Sequence, residues 1–116
     1  APEDGYRVLV DKLWPRGIRK EALRYDLWAK EIAPTPGLRT WFHAAPGERW
    51  EEFRRRYTAE LRSSPAVRDF VRRIAGKGTV TLLYASKSAA GNHALILQEY
   101  LAHATAAEEV TNARYS

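Results

Sequence analysis

At 116 residues, the chain is long enough for one hydrophobic core and too short for two. Its 45% hydrophobic and 28% charged residues read as an ordinary globular protein. The absence of cysteine excludes disulfides, a thiolate nucleophile and any cysteine-bearing zinc site. No apolar run approaches the roughly 20 residues of a membrane span, so no membrane association is expected and the expected location is cytoplasmic.

The first structured segment is Tyr6 to Val10, short and nearly all apolar at its end, as in a strand covered on both faces. Trp14-Pro15 must stop it, because proline lacks the donor for a sheet ladder and holds its predecessor extended, and Gly17 allows a tight exit. Arg19 to Tyr25 is weakly helical, and Leu27 to Ile32 reads as a strand. Pro34-Thr35-Pro36-Gly37 breaks the chain. Leu38, Trp41 and Phe42 then take helical spacing in a short helix expected to end at Pro46-Gly47.

From Glu48 to Leu61, the apolar series Trp50, Phe53, Tyr57 and Leu61 marks an amphipathic helix. Ser63-Ser64-Pro65 supplies an N-cap and a first-turn proline for the next helix, whose buried stripe is Val67, Phe70, Val71 and Ile74. Gly76-Lys77-Gly78 delivers the chain into a second apolar strand, Val80 to Tyr84, and a last helix starts near Asn92 and runs to Leu101. Residues 1–103 thus form one domain. The segment 104–116 loses apolar periodicity and is expected to be a frayed tail or a packing arm. The order of elements implies a three-layer α/β sandwich with a small, mostly parallel sheet and helices on both faces.

Two strand-to-turn motifs carry the candidate site. Val8 to Gly17 and Val80 to Lys87, the latter continued by Asn92-His93, each break from a strand into a polar turn. If the strands are parallel neighbours, both turns fall on the sheet edge where open α/β proteins bind ligands. Arg16 could hold a phosphate or carboxylate through two hydrogen bonds, with Gly17 letting the ligand approach and Trp14 as a flat wall. The competing reading pairs Arg16 with Asp11 to hold the turn. Lys87, Asn92 and His93 could complete an anion site at a helix start, although Asn92 is also a sufficient plain cap. Neither Gly-x-x-x-x-Gly-Lys-Ser/Thr nor Gly-x-Gly-x-x-Gly is present.

Catalytic candidates are His93, Asp11 and Ser86, a triad only if the fold unites them. His43 and His93 lack metal-ligand spacing, so no metal site is expected, and no cofactor is specified. The net charge of +5 raises a second possibility of nucleic-acid binding through Arg54, Arg55, Arg56, Arg62, Arg68, Arg72 and Arg73. No nucleic-acid module is recognisable, so a solvated helix face is favoured. A structural or protein-interaction module is the third reading. The leading one is a cleft for an anionic or nucleotide-like small molecule.

The stretch Gly5 to Gly17, Leu27 to Pro34, Phe42-His43, Trp50 to Tyr57, and Leu82 to Tyr84 with Asn92-His93-Ala94 together resemble the YeaO-like family of bacterial proteins, domain of unknown function 488. The likeness runs in order from about Pro2 to about His103. It implies a compact α/β domain with no established reaction. Family members carry a further short strand ahead of the position where this chain begins. With no methionine in the sequence, a preceding strand is expected to be missing from residues 1–116.

Overall fold

A computed structural model of the chain describes residues 5–85, 92–104, 107 and 109–114. The strands are β1 (Tyr6–Leu9), β2 (Leu27–Trp28), β3 (Thr79–Tyr84) and β4 (Glu109–Arg114), and the helices are α1 (Pro36–Ala44), α2 (Pro46–Ser63), α3 (Pro65–Ile74) and α4 (His93–Ala104). Single 3-10 turns lie at Lys20–Ala22 and Lys30–Ile32. All strand pairs are parallel, in the order β2-β1-β3-β4. The fold is therefore α/β with a wholly parallel sheet.

That strand order dictates which face each connection covers. From β1 the chain steps one way to β2, then returns past β1 to β3 and continues to β4. Right-handed crossovers in opposite directions lie on opposite faces. On one face Val8, Val10, Val80, Leu82 and Tyr84 meet α1 through α4 in the main core. On the other, Leu9 and Leu83 pack with Leu23, Trp14, Ile18, Trp28 and Ala113. The second outer layer is thus the thin loop between β1 and β2 with its 3-10 turn.

Three sequence expectations change. Leu27 to Ile32 is a two-residue strand followed by a 3-10 turn. The Tyr57 hydroxyl donates to the Ile32 carbonyl oxygen at 2.6 Å, so this segment is tied to α2 instead of extending the ladder. α1 ends at Ala44, just ahead of Pro46-Gly47, but α2 opens at Pro46 instead of Glu48, where the missing proline donor costs nothing. The expected tail contains β4, paired with β3 from Thr79↔Glu109 to Tyr84↔Arg114. Its polar residues suit a half-buried edge, and Gln98 of α4 donates to the Val110 carbonyl at 3.1 Å while accepting from Asn112. Elsewhere the local signals hold: the Ser64 hydroxyl caps α3 by accepting from the Val67 amide at 3.2 Å.

Candidate anion cleft at the sheet switch point

Between β1 and β3 the strand order reverses direction, which is where doubly wound sheets open a crevice beyond the strand carboxyl ends. Three contacts pull the two exits together. The Val10 amide donates to the Leu83 carbonyl at 3.0 Å, the Ala85 amide donates to Asp11 Oδ2 at 2.9 Å, and His93 Nε2 donates to the Val10 carbonyl oxygen at 2.9 Å. Trp28 Nε1 donates to the Asp11 carbonyl oxygen at 2.8 Å, fixing the start of the turn from its other side. The expected convergence of the two motifs is therefore realised.

The crevice is a cavity of about 290 Å³. Lys12, Trp14, Pro15 and Arg16 line it from the turn after β1, and Arg39, Phe42 and His43 from α1. Ala33, Pro34 and Phe53 add apolar wall, and Asp11, Ala85 and His93 lie where the strands end. Among the described residues, the Lys12, Arg16 and Arg39 side chains form no ion pair, so three cations face one carboxyl group.

Asp11 and His93 are almost withdrawn from water, with side chains 18% and 16% exposed. Desolvation raises the Asp11 pKa against the smaller opposing pull of His93, the Ala85 amide and Arg39. Desolvation likewise lowers the His93 pKa, outweighing the opposite effects of the Val10 carbonyl and Asp11. The neutral imidazole with its proton on Nε2 fits the bond to Val10 and leaves Nδ1 as an acceptor. His93 Nε2 stands 4.0 Å from Asp11 Oδ1, beyond hydrogen-bond reach. The carboxyl group therefore does not orient the ring as it would in a catalytic triad.

These shifts predict an acid sensitivity. Below the ordinary histidine pKa of 6.5, the unfolded chain takes up a proton that folded His93 resists, so stability falls as pH falls, by at most about 1.4 kcal/mol per pH unit for one site. Asp11 acts in the other sense: its raised pKa contributes stability below 3.8 that is lost as pH rises. Urea midpoints between pH 7.5 and 5.5 should drop, and less so in His93→Gln, which keeps a terminal amide donor for Val10. Equal slopes in the two proteins would show that His93 is not the responsible group.

The other sequence candidates fall as follows. Trp14 is half-buried and packs edge-on against Tyr25 and Trp28, with its Nε1 donating to the Ile18 carbonyl at 2.6 Å. Arg16 is exposed at the cavity and does not pair with Asp11, which has His93 Nε2 4.0 Å from its Oδ1. Gly17, at φ +80°, turns the chain immediately after Arg16 and is not a lining residue. Asn92 is buried and accepts from the Ala94 amide at 2.9 Å, so it caps α4 outside the lining. Ser86 and Lys87 lie outside the described residues. Sequence reasoning missed Arg39 and noted His43 without assigning it to the cleft, although their i,i+4 spacing beside Leu38 and Phe42 puts both on one helix face.

On the remaining surface, Arg54 pairs with Glu99, Arg55 and Arg56 with Glu52, and Arg72 with Asp69. Arg54 also lies over Trp50 and Arg56 over Trp41, at 5.4 and 4.4 Å from the ring centroids. Among the described residues, no helix is long and apolar enough to cross a membrane.

A family model described as the inactive DUF488-N3 subclade matches residues 1–116. The chain is 44% identical over 100 residues to the uncharacterized protein Rv3073c of Mycobacterium tuberculosis, covering 86% of this chain and 83% of the relative. It is 46% identical over 98 residues to the uncharacterized protein YeaO of Escherichia coli, covering 84% of each. No solved structure matches.

Proposed function

Because the chain belongs to the DUF488 family, in a subclade described as inactive, we propose that its cleft binds a small anionic molecule without transforming it. The carrying observation is the convergence of Lys12, Arg16 and Arg39 on a cavity with a single carboxyl group among its described lining residues. Three cations outweigh that one carboxyl group even when it is ionised, so the cleft's field is positive and favours anions. At about 290 Å³, the cavity lies near the lower end of the roughly 300–1,000 Å³ typical of small-molecule sites, which suits a metabolite of up to mononucleotide size. Among the described lining residues there is no hydroxyl or thiol nucleophile, and His93 spends its Nε2 proton on a backbone carbonyl. Both features support binding over turnover.

Thermal melts with inorganic phosphate test this reading, because a ligand selective for the native state raises its melting temperature by mass action. Phosphate should raise the Tm of the wild type, and the rise should shrink in Arg16→Lys, which keeps the charge but loses the planar two-pronged donor. Arg16 is exposed and unpaired with Asp11, so neither Arg16→Lys nor Arg16→Ala should lower the ligand-free Tm by more than about 0.5 kcal/mol equivalent. A wild-type Tm indifferent to phosphate, sulfate and carboxylates at millimolar concentration would remove the cleft from consideration.

A further inference from the structure

The cleft is chemically two-ended, and this asymmetry carries a statement about its ligand. The cations come from two separate elements, Lys12 and Arg16 from the turn after β1 and Arg39 from α1. A doubly charged group matches three cations from two elements better than a single carboxylate does, and guanidinium forks fit phosphate oxygens. At the strand ends the chemistry changes. Among the described residues, Asp11 is anchored through Oδ2 alone, by the Ala85 amide, while His93 stands 4.0 Å from Oδ1. His93 contributes a ring whose Nε2 proton is committed to Val10, leaving Nδ1 to accept. Both groups are therefore suited to receive hydrogen bonds from a ligand and poorly suited to a second anion.

Resting on the anion-cleft reading above, we propose that the ligand is a small phosphomonoester bearing free hydroxyls, a sugar phosphate in chemical class, with its phosphate between Arg16 and Arg39 and a hydroxyl donated to Asp11. A carboxylate receiving a sugar hydroxyl is the same chemistry by which acidic residues hold ribose in dinucleotide sites. Apolar edges of Phe42 and Phe53 beside the cavity suit the carbon face of such a molecule.

Isothermal titration of the whole chain with inorganic phosphate, ribose 5-phosphate and ribose separates the two levels of the proposal. Ribose 5-phosphate should bind about tenfold more tightly than phosphate, the factor one charge-assisted hydrogen bond supports, and ribose alone should not bind measurably. Asp11→Asn retains an oxygen for the Ala85 amide and should reduce the preference for ribose 5-phosphate over inorganic phosphate at least threefold. Arg39→Gln should weaken both phosphate-bearing probes together. Equal affinities for phosphate and ribose 5-phosphate, or a preference untouched in Asp11→Asn, would overturn the sugar-phosphate assignment and leave the anion cleft standing. Failure of every phosphate-bearing probe to bind would overturn both.

Discussion

Phe53→Ala is expected to lower folding stability by about 3–5 kcal/mol, through lost transfer energy and the cavity left behind. Phe53 is only 2% exposed and stands at the centre of an aromatic column. Its ring stacks on Phe42 at 4.0 Å and 15°, and on Tyr57 at 5.8 Å and 14°. Trp50 closes the column from the side at 6.1 Å. Neither neighbour can collapse far into the gap, since Phe42 is held by α1 and the Tyr57 hydroxyl is tied to the Ile32 carbonyl. With a total stability of about 5–15 kcal/mol typical of such domains, the variant should be largely unfolded on mild heating. Phe53→Leu refills much of the volume and should recover most of the loss. Urea denaturation of the three proteins measures this, and a midpoint unchanged in Phe53→Ala would mean that the α2 face is not packed as described.

Gly5→Ala should be nearly as damaging, by about 2–5 kcal/mol, although it adds a single methyl group. Gly5 has φ +65°, a left-handed conformation that costs an L-residue about 1–2 kcal/mol. The added carbon would also lie inside van der Waals contact of the Thr79 carbonyl oxygen, a backbone atom in the strand paired with β1. Overpacking of that kind typically costs a further 1–3 kcal/mol or so. Gly17→Ala is the control: its φ of +80° imposes similar strain, but a β-carbon there meets nothing within 4 Å. If the close approach matters, Gly5→Ala must lose more than Gly17→Ala in the same denaturation series, and equal losses would reduce the effect to backbone strain.

Legibility in the sequence followed the strength of the local signal. The apolar run into Val10, the helical series Trp50, Phe53, Tyr57 and Leu61, and the Ser64 cap each have one dominant physical cause, and each appears where that cause places it. Adjacency of β1 and β3 was also readable, because two buried parallel strands in a small sheet have few other places to go. What stayed hidden depends on tertiary partners. Glu109–Arg114 has no apolar alternation to announce a strand, and it becomes one because β3 offers an unfilled edge and Gln98 satisfies Val110. Of the site, Asp11, Arg16 and His93 were found from their motifs, whereas Arg39 looks like one more solvated helix cation until α1 is laid against the crevice. The Asp11–Arg16 pair considered from the sequence does not form, because the Ala85 amide takes that role.

The bonds that close the crevice join residues separated by 74 positions, Asp11 to Ala85, and by 83 positions, Val10 to His93. At translation rates of about 5–20 residues per second, roughly 4–17 s pass between synthesis of the two sides. Throughout that interval the nascent β1 has no β3 to pair with, and Val8, Leu9 and Val10, all fully buried in the finished protein, stay exposed to aggregation or to chaperones. Such distant parallel pairing also predicts slow folding once the chain is released, because the entropy of closing the loop is lost before any ladder bond repays it. The crevice is therefore among the last features to mature, and a nascent chain stalled between α3 and β3 has no means of building it.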